Sequence, residues 1–104
     1  MSAHETIENT IKNNKIVLFM KGNPAMPQCG FSAATVRCLQ DLNVPFETVD
    51  VLSDPEIRDG VKTFSNWPTI PQVYIGGEFV GGCDIVRDLH ATGELKKMVE
   101  KAMS

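Results

Sequence analysis

Ile16-Val17-Leu18-Phe19-Met20, then Lys21-Gly22-Asn23-Pro24-Ala25-Met26-Pro27, then Gln28-Cys29-Gly30-Phe31-Ser32: the fold turns on this stretch. Five apolar residues in a row leave no polar face, as a central strand covered on both sides requires. Glycine and two prolines break the pattern. A helix opens near Cys29, where Phe31, Ala34, Cys38, Leu39 and Leu42 supply one apolar stripe. A buried strand therefore runs through a loop into a helix, with a cysteine at the turn.

The flanking segments follow the same alternation. Ala3, Ile7 and Ile11 recur every fourth residue, which predicts a first helix ending before Asn13-Asn14. Phe46 to Val51 reads as the next strand. Ser53-Asp54-Pro55-Glu56 carries a capping box with proline at the first helical position, and Ile57, Val61 and Phe64 form the stripe of the helix it opens. After Trp67-Pro68-Thr69-Ile70-Pro71 come two strands, Gln72 to Ile75 and Glu78 to Gly81, joined by a tight Gly76-Gly77 hairpin. Asp84 starts a short helix, and Leu95, Met98, Val99, Ala102 and Met103 mark a terminal one. The first two strands, connected through a helix, should be parallel and right-handed. The expected fold class is α/β: a single domain over residues 1–104, with a four-stranded mixed sheet flanked by helices on both faces. With its cysteine at the first strand-to-helix turn, this is the thioredoxin-like layout.

Bulk properties exclude several functions. A chain of 104 residues, 42% hydrophobic, supports one cored domain. A net charge of −3 and no Lys/Arg run argue against nucleic-acid binding, which needs a clustered basic face. The run Ile16 to Met20 is too short to span a bilayer. Met1-Ser2-Ala3-His4-Glu5-Thr6 has neither a basic-then-apolar pattern nor arginine enrichment, so no signal or transit peptide is expected. Three cysteines, Cys29, Cys38 and Cys83, form no disulfide framework, and with His4 and His90 they fit no structural zinc spacing. A reducing compartment is expected.

Cys29-Gly30-Phe31-Ser32 has the outline of a Cys-x-x-Cys redox motif whose second thiol is replaced. Ser32 cannot resolve a mixed disulfide, so Cys29 must exchange with an external thiol or hold something as a ligand. At a helix N-terminus its thiolate is favoured. Cys38, nine positions on, falls in the apolar stripe and reads as core. Cys83 follows Gly81-Gly82 and is either a packing residue or a second thiol. Asp84 is either an N-cap or a partner for a ligand ammonium, and both roles are compatible. Lys21, leaving the carboxyl end of the central strand, and Arg58, at the edge of its helix stripe, could each bind a ligand carboxylate. Read from the residues alone, Pro71 opens an edge strand in the ordinary trans form. A cis bond would instead expose the Ile70 main chain toward the Cys29 loop, where an extended peptide could pair with it.

Together, Lys21-Gly22-x-Pro24-x-x-Pro27-x-Cys29-Gly30-Phe31-Ser32, Trp67-Pro68-Thr69-Ile70-Pro71 and Gly81-Gly82-Cys83-Asp84-Ile85 resemble the monothiol, CGFS-type glutaredoxins, in the right order and over nearly the whole chain. The resemblance implies a thioredoxin fold with a cis Pro71, bound glutathione and a [2Fe–2S] cluster shared by two subunits. It implies that Cys29 ligates iron and that Lys21 and Arg58 bind the glycine carboxylate of glutathione. The Ile70 main chain would pair with the cysteinyl unit, and Cys83 and Asp84 would hold the γ-glutamyl end. Implied partners are a second copy through the bridging cluster, a BolA-like protein, and apo iron–sulfur proteins that receive the cluster. Thiolate arithmetic agrees: an all-thiolate [2Fe–2S] unit needs four sulfurs, two from a dimer's cysteines and two from glutathione. The alternative is a glutathione-dependent oxidoreductase acting through Cys29. Against it stands the seven-residue segment Lys21 to Pro27, long for a strand-to-helix turn and able to move the glutathione sulfur off the line of attack. A bacterial-type cytosol is expected from the Met1 start, with an organellar matrix as the other compartment.

Overall fold

Strand β1 (Ile16–Met20) carries two cores, because consecutive side chains on a strand point to opposite faces. Ile16, Leu18 and Met20 pack with Val36, Leu39, Val86, Leu95 and Val99 on one side. Val17 and Phe19 pack with Ile7, Ile11, Val51, Ile57, Val61 and Tyr74 on the other. The computed structural model describes residues 2–104. The elements that supply these two layers are α1 (Ala3–Asn13), β1, a two-stranded ribbon of β2 (Gly22–Asn23) and β3 (Met26–Pro27), α2 (Gly30–Gln40), β4 (Glu47–Asp50), α3 (Pro55–Ser65), β5 (Gln72–Ile75), β6 (Glu78–Gly81), α4 (Cys83–Thr92) and α5 (Glu94–Met103).

The main sheet has the order β4-β1-β5-β6. β1 is parallel to β4, and β5 is antiparallel to both β1 and β6. Helices α2, α4 and α5 supply one layer and α1 and α3 the other. This is the expected four-stranded mixed sheet between two helical layers. Among the described residues no helix is long and apolar enough to cross a membrane. The Met1 start, on which the expected compartment leans, lies outside them.

Several boundaries differ from expectation for local reasons. The cap of α3 is Asp54, whose Oδ1 accepts from the Glu56 and Ile57 N–H groups at 3.0 and 3.3 Å. With Pro55 at the first helical position, the cap must be the residue before it. Ser53 ends a short 3-10 turn, Val51–Ser53, and donates its hydroxyl to the Asp50 carbonyl instead. That turn also takes Val51 out of the expected strand. The box that does form is at α1, where Ser2 Oγ and the Glu5 carboxylate exchange bonds with each other's main chain. Helix α4 is capped by Gly82, with Asp84 already inside the first turn, where a carboxylate suits the helix dipole.

Phe31 is not in the buried stripe of α2: it is 62% exposed. The buried face is Ser32, Thr35, Val36, Cys38 and Leu39, a stripe that includes two hydroxyl residues. Phe64 and Met103 are likewise more exposed than their stripes imply, although Phe64 still touches the Tyr74 ring.

The segment expected as an open loop, 21–27, is a tied ribbon. Gly22 pairs with Pro27 and Asn23 with Met26, and Asn23 Oδ1 accepts from the Met26 N–H at 2.9 Å. Asp50 Oδ1 accepts from both Gly22 and Leu52, so one carboxylate pins the ribbon to the end of β4. Gly22 has φ +87°, and a Cβ there would lie 2.6 Å from the Met26 carbonyl oxygen and 2.8 Å from the Gln28 nitrogen. Gly77, at φ +83° in the β5–β6 turn, has open space around it. Gly22→Ala should therefore cost about 3 kcal/mol in denaturant unfolding, whereas Gly77→Ala should cost about 1 kcal/mol, from backbone strain alone. Equal losses would contradict the crowding at Gly22.

Candidate functional site

Three segments that follow strands or helices meet at the carboxyl end of β1, where α/β folds gather ligands. They enclose a cleft of about 430 Å³, within the size range of small-molecule sites. One wall is Lys21, Cys29 and Phe31 from the β1–α2 connection. A second is Trp67 to Pro71, with Lys62 from the last turns of α3. The third is Gly82 to Ile85 at the start of α4.

Cys29 is the N-cap residue of α2 and is partly exposed. The thiol closes no cap hydrogen bond as it stands. Its pKa is nonetheless held below the usual thiol value, first by the adjacent Ser32 main-chain N–H. Partial burial opposes this, while the Phe31 N–H, the Lys21 charge and the Ser32 hydroxyl reinforce it. These are the orphan donors of a helix N-terminus, favouring an anion. Ser32 is fully buried, and its Oγ accepts from the Lys21 N–H at 3.1 Å. That bond commits the hydroxyl's oxygen to the end of β1 and leaves its proton to donate elsewhere. Thus the serine in place of a resolving cysteine also fixes where Lys21 leaves the strand.

Cys38 and Cys83 are different. Both are buried. Burial pushes the Cys38 thiol up, with nearby Cys83 and Asp41 adding to the shift and Arg87 opposing it. Cys83 reaches the cleft wall, whereas Cys38 does not line it. The expected core role of Cys38 agrees with this placement.

On the second wall, the Ile70–Pro71 bond is cis, as the family resemblance implies and against the trans reading from the residues alone. Ile70 lines the cleft although its side chain belongs to the core on the α1–α3 side. Trp67 is anchored through its N–H to the Lys62 carbonyl and Ser65 Oγ. On the third wall, a Cβ at Gly82 would stand 3.2 Å from the Pro71 carbonyl, so glycine allows α4 to start directly against the cis-proline segment.

The structure thus brings together Lys21, Cys29, Ile70, Cys83 and Asp84. Arg58 stands outside the cleft lining; the cation that α3 presents to it is Lys62, one turn on. Their i, i+4 spacing, which puts both on one helix face, is the sequence signal that could have found Lys62. Phe31 and Ile85, both exposed, form an apolar rim beside Cys29.

The thiol assignments have a direct test. Alkylation of Cys29 should follow a pH midpoint below that of a free thiol, and near neutrality should outpace Cys38 by at least about tenfold. Ser32→Ala should move the Cys29 midpoint upward, because it removes one group that favours the thiolate. A midpoint unmoved by that substitution, followed by mass spectrometry of the labelled peptides, would refute a role for the hydroxyl.

Comparison with known proteins agrees with this geometry. The glutaredoxin family model matches residues 16–80. The chain is 56% identical over 98 residues to an uncharacterised monothiol glutaredoxin, ycf64-like, of Synechocystis, covering 94% of this chain and 92% of the relative. It is 57% identical over 94 residues to a probable monothiol glutaredoxin 2 of Rickettsia conorii, covering 90% and 88%. Chloroplastic monothiol glutaredoxin-S14 of Arabidopsis thaliana is 54% identical over 99 residues, but the match covers 95% of this chain and only 57% of that protein. Among solved structures, reduced poplar apo GrxS14 superposes with a TM-score of 0.84 at 50% identity, over 95% of this chain and 91% of that one. A buckwheat glutaredoxin–glutathione complex, at 24% identity and a TM-score of 0.85 over 96% and 89%, shares the fold. With a family match over more than half its length and relatives this similar over nearly all of it, the chain belongs to the glutaredoxin family, among its monothiol members.

Proposed function

We propose that this protein binds glutathione in the cleft and, as a pair of copies, carries a [2Fe–2S] cluster as cargo to apoproteins. The observation that carries the reading is the single partly exposed thiol, Cys29, at the mouth of a peptide-sized cleft. Among the described residues there is no group of three or more His, Cys, Asp or Glu able to hold a metal ion. With Cys38 and Cys83 buried, Cys29 is the partly exposed sulfur that each chain offers, and four are reached by two Cys29 thiolates and two glutathione thiols. The donor set fits a shared cluster and does not fit a resident one.

The cleft matches the charges of glutathione. Lys21 and Lys62 suit the glycine carboxylate, with Arg58 a proposed further contact at the rim. The main chain of Ile70 suits the extended cysteinyl unit. The free N–H groups at Cys83, with Asp84 beside them, suit the carboxylate and ammonium of the γ-glutamyl end. When bound, the cluster supplies the iron; the protein's part is to present Cys29 as a thiolate and to hold the tripeptide. A BolA-like protein is the proposed heterodimer partner. The relatives come from bacteria and plants, two of the plant ones named chloroplastic and one mitochondrial; a bacterial-type cytosol is the proposed compartment.

The lowered Cys29 pKa also favours a second reading, attack on glutathione mixed disulfides with a second glutathione resolving the intermediate. The two are separable. Anaerobic reconstitution with iron, sulfide and glutathione should load wild type and Cys38→Ser but leave Cys29→Ser colourless. Sedimentation should show apo monomer and holo dimer. The holo protein should pass its cluster to an apo-ferredoxin faster than free iron and sulfide assemble one. High turnover of a glutathione mixed disulfide with no cluster transfer would make the oxidoreductase reading the correct one.

A further inference from the structure

Gln72 is the first residue of β5, opposite Phe19 of the central strand, and it is fully buried. It is the polar member of a strand otherwise composed of Val73, Tyr74 and Ile75. Its amide nitrogen donates to two carbonyls of the preceding segment, Trp67 and Thr69, each at 3.1 Å. Its Oε1 has no partner among the described residues. A buried acceptor left unpaired opposes folding, and leucine would fill similar space without that cost. The two donated bonds are what distinguishes glutamine at this position.

The segment those bonds hold is the second wall of the cleft. Pro68 and Pro71 lack an N–H, so the stretch has few donors with which to fasten itself. One end is fixed by the Trp67 N–H on Lys62 and Ser65. Beyond it, the Trp67 and Thr69 carbonyls are turned inward onto Gln72, which leaves Ile70, between Thr69 and Pro71, at the cleft surface.

We propose that Gln72 is a positioning residue: its buried amide clamps the Trp67–Thr69 carbonyls from beneath and thereby fixes the Ile70 main chain against which a peptide ligand pairs. It acts through the segment and does not itself line the cleft. The ligand part of this inference rests on the glutathione reading above. A binding edge set in advance loses less conformational freedom when ligand arrives, which is where the affinity would come from.

The test uses the full chain, with reduced glutathione as probe. Amide hydrogen exchange reports loop opening at Trp67, whose main-chain N–H is bonded to the Lys62 carbonyl and Ser65 Oγ, and at Val17 and Leu18 in the central strand for comparison; calorimetric titration reports affinity. In Gln72→Leu, exchange at Trp67 should quicken by at least about tenfold, and glutathione should bind at least about tenfold more weakly, the equivalent of one lost hydrogen bond. Val17 and Leu18 should be unchanged. Gln72→Glu adds a pH readout that a space-filling role would not give. Burial raises the introduced carboxyl's pKa, its protonated form can donate one bond, and ionisation removes it. Binding by that variant should therefore be restored toward wild type at low pH and fall as pH rises, beyond any change in wild type. Unchanged loop exchange and affinity in Gln72→Leu would overturn the clamp. So would equal acceleration in the central strand, since the effect would then be general loss of stability. If wild type binds no glutathione while Gln72→Leu still quickens the Trp67 amide, the glutathione reading fails and the clamp stands.

Discussion

The five residues of β1 have no exposed face, so each must find an apolar neighbour in one of two helical layers. Ile16, Leu18 and Met20 commit α2, α4 and α5 to one side; Val17 and Phe19 commit α1 and α3 to the other. Burying such side chains stabilises by roughly 1.5–3 kcal/mol each. A slip of one residue would send every one of them to the wrong layer. The register of β1 therefore fixes where the strand stops. Where it stops decides where Lys21 emerges and where the chain can turn back into α2 with Cys29 at its cap.

Around that endpoint, the polar contacts are economical. Ser32 and Asp50 each join the β1 exit to another element, one to α2 and the other to the end of β4. Neither side chain lines the cleft, yet both determine where ligand-facing atoms stand. The same holds across the cleft, where Gly82 lets α4 begin against the Pro71 carbonyl. The cleft is thus built by short-range fastening at the ends of strands, on a frame that the buried strand has already placed.

Much of this was legible from residue types, because the strongest signals were local. The unbroken apolar run identified β1, and Gly76-Gly77, both at positive φ in the structure, marked the hairpin with the strand limits observed. Cys29 at a helix start followed from the break at 21–27. What failed did so for identifiable reasons. Phe31 has the spacing of a core residue, but hydrophobic periodicity cannot distinguish an apolar side chain facing the core from one placed at a rim. Ser32 and Thr35 lie in the buried stripe although an apolar pattern does not mark hydroxyl residues. Thr35 is satisfied within its own helix, by the Phe31 carbonyl, but the Lys21 N–H that meets Ser32 comes from a distant element. Gln72 escaped notice for the same reason, although a glutamine directly before three apolar strand residues is a visible oddity. The α3 cap was displaced by one residue because Pro55 settles which neighbour can serve.

The three cysteines sit in different places: Cys29 is partly exposed at the cleft, whereas Cys83 in the cleft wall and Cys38 in the packing between α2 and α4 are both buried. This contrast makes the protein its own unfolding probe. A thiol reagent consumes Cys29 in the native state, so further modification at Cys83 or Cys38 counts excursions that open the wall or the core. Measured at rising denaturant, the two slower rates would separate loosening around the cleft from loss of the whole domain. No label or engineered reporter would have to be introduced.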